Sequence, residues 1–63
     1  MDHLIAKTPS QLDRCLRLLY AERLQFYVSV CEDDKGKIYY EISVNADDQT
    51  FARVREKYRI MIS

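Results

Sequence analysis

The pattern of apolar and polar positions divides this chain of 63 residues into a series of short elements. Residues 3–7 lean apolar and stop at a Thr-Pro pair, which is typical of a short first strand. After them, apolar residues recur at helical spacing, alternate twice at strand spacing, and recur at helical spacing again. In chain order we predict a strand 3–7, a helix 9–23, strands 24–31 and 37–44, a helix 47–58 and a β-leaning tail 60–62 that adds a short closing strand.

The first helix carries a strong start signal. Thr8 suits the N-cap, Pro9 suits the first helical position, and Gln11 completes a capping box. Leu18 falls about 120° from the centre of the apolar stripe, so we expect it to be exposed. No glycine follows the helix, which should end near Arg23. Four residues at helical spacing form the stripe that we expect to be buried: Leu12, Cys15, Leu16 and Leu19.

The two alternating segments predict a hairpin with one face against the core and one face open. Its turn, residues 32–36, contains the only glycine of the chain, Gly36, at a place where a positive φ is expected. Asn45 to Asp48 supply an N-cap and negative charge for the second helix. The predicted core consists of Leu4, Leu12, Leu16, Leu19, Phe26, Val28, Val30, Ile38, Tyr40, Ile42, Val44, Phe51, Val54 and Tyr58.

This order of elements predicts the fold class. With both helices on the same face of the sheet, a compact solution is a small ferredoxin-like β-α-β-β-α(-β) two-layer α+β sandwich with an antiparallel sheet. We expect one domain over residues 1–63. A chain this short buries only about 60% of the surface that its unfolded form exposes, so its stability margin should be thin.

Composition limits the class of protein, the kinds of partner and the compartment that we expect. Apolar residues make up 48% and charged residues 32%, which is typical of a globular chain. The formal net charge is zero, so bulk charge gives no attraction toward nucleic acid or an anionic membrane. No apolar run approaches the roughly 20 residues of a membrane span, and the N-terminus lacks a signal-peptide pattern. We therefore expect a cytoplasmic protein with reduced thiols and no membrane partner.

Residues that could carry chemistry are few. His3 is the only histidine and is interpreted as a surface residue. The consecutive acids 32–34 fit a solvated turn better than a cation-binding loop. Cys15 lies on a helix stripe as a small hydrophobe, and Cys31 ends a strand on the open face. We expect that the chain is not an enzyme and that it has no catalytic, cofactor-binding or metal site. No small-molecule substrate is evident.

The open sheet face is the distinctive surface, because two tyrosines lie on its adjacent strands. Tyrosine is enriched in interface cores, although tyrosines on a sheet can also serve only to stabilise a hairpin. The sequence therefore predicts a non-enzymatic protein-interaction or regulatory module that binds a protein partner or a second copy of itself. A chain without independent activity, acting within a larger assembly, is a further alternative. The candidate partner-binding residues are Tyr27, Tyr39, Ser29, Lys37, Glu41 and Leu18.

The segment 35–42, Lys-Gly-Lys-Ile-Tyr-Tyr-Glu-Ile, resembles the third-strand octapeptide of the RNA-recognition motif. The Lys-Gly start matches, and Tyr39 falls on the fifth position, which holds a base-stacking aromatic. Lys37 stands where that family has its other stacking aromatic, and Ile38 stands where it has a small residue. The resemblance covers eight residues and implies RNA or single-stranded nucleic-acid binding, with Lys35 and Lys37 toward phosphate.

Residues 10–30 are similar to the helix-then-strand half of small bacterial ferredoxin-like domains, including a family described as signal-transducing proteins. Those domains usually read Ala-Glu-Gly before the second strand, whereas here Ala21-Glu22 is followed by Arg23. The resemblance implies a fold, and a fold does not by itself imply a function.

Overall fold

A computed structural model describes residues 2–63; Met1, the first residue of the predicted domain, lies outside them. The structure is a small α+β fold of three antiparallel strands and two helices, which confirms the prediction at that level. Its elements are β1 (Asp2–Ala6), α1 (Pro9–Ala21), β2 (Gln25–Glu32), β3 (Ile38–Asn45) and α2 (Asp48–Ile62).

Both helices begin at side-chain caps. Thr8 Oγ1 accepts a hydrogen bond from the Gln11 N–H at 3.1 Å, and Gln11 Oε1 accepts one from the Lys7 N–H at 2.9 Å. Asp47 Oδ1 accepts from the Thr50 N–H at 2.7 Å. Thr8 and Asp47 satisfy N–H groups of the first helical turn that have no partner within the helix, so the predicted starts of α1 and α2 are confirmed. Gln11 binds the N–H of the residue before the N-cap.

The end of α1 uses a residue that is unusual at this position. Arg23 has φ of 58°, in the left-handed region that favours glycine. Its N–H donates to the Tyr20 carbonyl, and the N–H of Leu24 donates to the Leu19 carbonyl, both at 3.1 Å. This is the Schellman pattern, which satisfies the last helix carbonyls and turns the chain into β2.

The sheet has the order β1-β3-β2, with both neighbouring pairs antiparallel. The register places Leu4, Ile42 and Val28 in one row across the three strands. The next row on the same side consists of Ala6, Tyr40 and Val30. Both helices pack on this side, since their apolar residues join one core with those of β1 and β3. The buried core consists of Leu4, Ala6, Cys15, Leu18, Leu19, Ile42, Val44, Phe51, Val54 and Tyr58.

The expectation that Leu18 is exposed is wrong, because it is only 9% exposed and belongs to the core. One turn later on the same side of α1, Glu22 bonds to Arg53 and Lys57 of α2 at 2.7 and 3.2 Å. Leu18 therefore lies on the side of α1 that faces α2. Packing against a second helix widens the buried arc beyond the stripe that faces the sheet.

Three residues of the predicted core are exposed instead: Val28, Val30 and Ile38. They lie on the helix side of the sheet, as the alternation requires, but no helix covers them. Four more predicted core residues are only half-buried: Leu12, Leu16, Phe26 and Tyr40. Alternation determines which face a side chain is on, and the placement of the helices determines whether it is buried.

The predicted closing strand is also wrong, because residues 60–62 form the last turn of α2. Ile62 packs against the core four residues after Tyr58, which itself follows Val54 by four. The helical apolar stripe thus continues to the end of α2 and outweighs the β propensity of the tail. Arg14 Nη1 donates to the Met61 carbonyl at 2.9 Å and satisfies one of the free carbonyls at this end.

Candidate functional site: the open sheet face

The open sheet face is the side of the sheet that neither helix covers, and it carries the odd-numbered residues of all three strands. Four of the predicted partner-binding residues belong to it by strand alternation: Tyr27, Ser29, Tyr39 and Glu41. Lys37 lies in the turn just before β3, and Leu18 is buried between the helices.

Tyr27 marks one end of the face and is 59% exposed. In its row, Ser43 lies between Tyr27 on β2 and His3 on β1, and Ser43 is buried. The two flanking side chains account for the burial of a serine on an otherwise uncovered face. This end of the face is therefore polar at its centre and aromatic at its rim.

His3, Glu41 and Ser43 form a cluster beside Tyr27. His3 Nδ1 lies 3.0 Å from Ser43 Oγ and 3.6 Å from Glu41 Oε1. A serine-hydrolase triad needs the serine on one ring nitrogen and the carboxylate on the other. Here both contacts reach the same nitrogen, so the cluster orients the histidine ring across β1 and β3 without forming a proton relay.

Tyr39 marks the other end of the face, directly opposite Cys31 of β2. Charge repulsion from the Cys31 side chain, with some loss of solvation, raises the pKa of Tyr39 above its usual value. A tyrosine is a neutral phenol at physiological pH even at its usual pKa, so Tyr39 can donate a hydrogen bond.

A cleft of about 600 Å³ lies beside Tyr39. Its lining combines apolar side chains with the three lysines Lys7, Lys35 and Lys37. Across residues 2–63, none of these three ammonium groups is within 4.0 Å of a carboxylate oxygen. The complete lining is Ile5, Lys7, Thr8, Asp33, Lys35, Lys37, Ile38 and Tyr39.

The turn between β2 and β3 is shaped by Asp33. Its N–H donates to the Lys37 carbonyl at 2.9 Å, and its carbonyl accepts from the Gly36 N–H at 3.0 Å. Its carboxylate accepts from the backbone N–H groups of Lys35 and Lys37, both at 2.9 Å. Gly36 has φ of 78°, so the turn is a three-residue hairpin loop with a glycine bulge. The prediction of a positive φ at this glycine is confirmed.

The two tyrosines lie on the same face, as predicted, but they do not form one cluster. Tyr27 is in the row of Ser43, whereas Tyr39 is in the row of Cys31, four residues further along β2. At about 3.3 Å per residue, the rows are about 13 Å apart. Each tyrosine thus offers a separate contact at one end of the face.

The sequence reasoning missed the contribution of β1 to this face. The apolar residues Leu4 and Ala6 define the inner side of β1, which puts His3 and Ile5 on the outer side. Ile5 and Lys7 reach the cleft beside Tyr39, and His3 reaches Glu41. The alternation along β1 indicates which side chains lie on the outer side. Which residues they meet on β3 follows only from the strand order, which the sequence does not contain.

No protein-family model matches the chain, and neither a curated protein nor a solved structure matches it. Among residues 2–63 there is no group of three or more His, Cys, Asp or Glu side chains placed to hold a metal ion. Neither of the two helices described in this range has the length and apolar character needed to cross a membrane.

Proposed function

We propose that this chain is a non-enzymatic protein-interaction module whose open sheet face docks a protein partner. The observation that carries the proposal is the uncovered aromatic and apolar surface itself. Tyr27 and Ile5 are exposed on a face that both helices leave free. Exposed aromatic and apolar groups surrounded by polar groups are typical of a docking surface.

The charge distribution supports a protein partner. Glu41 lies between the two tyrosine rows, and the chain has no net charge. Association would then rest on shape and apolar contact more than on long-range attraction. A partner seated on this face would cover one entire side of the small molecule, so we propose a regulatory role in which the partner's activity changes.

We place this function in the cytoplasm. Cys15 and Cys31 are both free thiols, and free thiols fit a reducing compartment. We also propose that the fold is a ferredoxin-like arrangement without its fourth strand. The sheet order β1-β3-β2, with β3 inserted between two strands that are joined through α1, supports this view.

A second candidate function is binding of RNA or single-stranded nucleic acid, and the cleft beside Tyr39 favours it. Lys7, Lys35 and Lys37 line this cleft with the aromatic ring, which is the combination that binds a stacked base and its phosphate. Each stacked base contributes about 1–3 kcal/mol. Glu41, next to Tyr39 on the same face, would oppose a nucleic-acid backbone, so we rank this function second.

An affinity pull-down from native cell extract, run with and without nuclease, separates the two functions. The test protein carries Tyr27→Ala and Tyr39→Ala together. The control carries Tyr20→Ala, which removes another exposed tyrosine that packs edge-to-face on Phe26 on the helix side of the sheet. We expect a stoichiometric protein that survives nuclease, is lost with the double variant and is retained by the control.

Two other outcomes contradict the proposal. Retention of the partner by a folded double variant would exclude the open sheet face as the docking surface. Recovery of nucleic acid, with proteins lost after nuclease treatment, would favour the second function. In that case affinity should fall with salt, with a slope of about −0.7 for each phosphate contacted on a single strand.

A further inference from the structure

The outer edge of β2 is a strand edge with no partner in the fold. The sheet order β1-β3-β2 leaves β2 at one side, and no other strand among residues 2–63 pairs with it. β2 contains no proline, and its single charged residue, Glu32, lies at the end next to the turn. Natural edge strands often carry prolines or charged residues, which hinder pairing with another chain.

The hairpin turn shows which residues of β2 direct their backbone groups outward. Asp33 and Lys37 form a hydrogen-bonded pair, and such pairs alternate along an antiparallel ladder. The odd-numbered residues of β2 therefore bond to β3. Phe26, Val28 and Val30 direct their N–H and C=O groups to the free edge, and their side chains lie on the helix side of the sheet.

We infer that β2 pairs antiparallel with β2 of a second copy of this chain, around a two-fold axis at Val28, and so extends the sheet to six strands. This inference goes beyond the proposed function, because it uses the edge of the sheet and leaves the open sheet face free. Around this axis Val28 faces Val28, and Phe26 of each copy faces Val30 of the other. The outward backbone groups of these residues then bond in pairs.

We infer a second copy in this register because the outer edge of β2 is complementary to itself. Apolar side chains meet apolar side chains, no like charges are opposed, and the chain has no net charge to separate two copies. Around the axis at Val28, Glu32 lies opposite Leu24 at the end of the ladder, whereas moving the axis to Ser29 would bring the Glu32 carboxylate opposite Phe26, within the ladder. Moving it to Tyr27 would place Val30 opposite Leu24, whose N–H already bonds to Leu19.

The first test is the mass of the protein in solution, measured by sedimentation over a concentration series that reaches about 1 mM, the weak end of specific association. We expect the mass to rise from 7.5 kDa toward twice that value. Val30→Lys should remain monomeric. Ile60→Lys is the matched control, because Ile60 is 62% exposed and Val30 is 69% exposed, but Ile60 lies on α2. Its dimer should persist.

A second variant tests the register by chemistry. Around an axis at Val28, position 25 of one copy lies opposite Cys31 of the other in a non-hydrogen-bonded pair. Cα atoms in such a pair are about 4.5 Å apart, which suits a disulfide. Mild oxidation of Gln25→Cys should therefore yield a covalent dimer, whereas Tyr27→Cys, which meets Cys31 only around an axis at Ser29, should not. Within one copy, positions 25 and 31 are too far apart on β2 to cross-link.

Every outcome of these experiments either supports the inferred pairing or overturns it. Wild-type protein that stays at 7.5 kDa throughout the series would overturn it. A dimer that survives Val30→Lys, or that cross-links through position 27 and not 25, would overturn the β2 pairing at Val28. Loss of the dimer with Val30→Lys, together with cross-linking at position 25, would establish it. None of these results depends on whether the open sheet face docks another protein.

Discussion

The two outer strands, β1 and β2, flank the same central strand and yet differ in how they are covered. Leu4 and Val28 lie in one row on the helix side of the sheet, and they are 4% and 37% exposed. Ala6 and Val30 lie in the next row and are 0% and 69% exposed. Equivalent positions on the two strands therefore have different roles, with β1 in the core and β2 at the surface.

The edges of the two strands differ as well. The Tyr58 hydroxyl of α2 donates to the Ile5 carbonyl of β1 at 2.8 Å, so the second helix holds β1 by a hydrogen bond as well as by packing. β1 is also the shorter strand. β2 has no comparable hydrogen bond from a helix within residues 2–63. The difference shows that an apolar strand can be buried as a structural element on one side of a sheet and remain exposed to solvent on the other.

The largest expected effect comes from truncating the covered strand. Leu4→Ala should lower the free energy of unfolding by about 2–5 kcal/mol, because it removes buried methyl groups and leaves a cavity. Val30→Ala should change it by only about 0.5 kcal/mol, because that side chain already meets solvent. Urea denaturation of both variants, at a concentration where the protein is monomeric, measures the difference. Equal costs would mean that β2 is packed as tightly as β1.

A smaller effect should follow from removing the hydroxyl that holds β1. Tyr58→Phe keeps the ring in the core and removes the hydrogen bond to Ile5, at an expected cost of about 0.5–1.5 kcal/mol. The same denaturation experiment at neutral pH measures it. An unchanged midpoint would show that packing alone holds β1 against α2.

Tyr58 should also cause the free energy of unfolding to fall at alkaline pH. Burial raises the pKa of Tyr58 from 10.0 to about 12, because the folded protein disfavours the charged phenolate. Its contribution is therefore fully present below pH 10 and is lost as the pH rises toward 12. Burial likewise raises the pKa of Cys15 to about 11, which adds a loss beginning near its usual value of 9.0. Between pH 10 and 12 the stability of Tyr58→Phe should fall less steeply than that of the wild type, and parallel curves would contradict this assignment.

The smallest expected effect is a gain at the residue that leads into β2. Arg23→Gly should raise the free energy of unfolding by up to about 1 kcal/mol, because glycine adopts the left-handed conformation without the clash of a Cβ atom. Arg23→Ala is the matched control, since it shortens the side chain and keeps the clash, and it should give no gain. Thermal unfolding of the two variants side by side makes the comparison.

Much of this fold could be predicted from local signals. The caps at Thr8 and Asp47 and the glycine turn at Gly36 act within a few residues, so sequence spacing is sufficient to locate them. The burial of Leu18 depends on how the two helices pack against each other, and the periodicity of one helix does not contain that information. The β propensity of residues 60–62 gave the wrong structure for a different reason, because Ile62 continues the apolar stripe of α2.

The candidate site was predictable in part for a similar reason. Alternation along the hairpin placed Tyr27 and Tyr39 on the open sheet face, because period-two geometry is local. The contacts of His3 with Glu41 and Ser43 depend on pairing between the first strand and the third. A single sequence does not contain that register, so the cluster became visible only in three dimensions.

The pairing of β1 with β3 also has a consequence for the order in which the chain folds. β2 and β3 are joined by a short turn and can pair early, whereas β1 and β3 are separated in the sequence by α1, β2 and the turn. Closing so long a loop costs entropy, so we expect β1 to dock late. Until β1 pairs, β3 has a free edge in addition to the outer edge of β2. A newly synthesised chain therefore passes through a stage in which both edges of its β2–β3 hairpin can pair with another chain. The first strand therefore protects the folding chain from misassembly as well as completing its core.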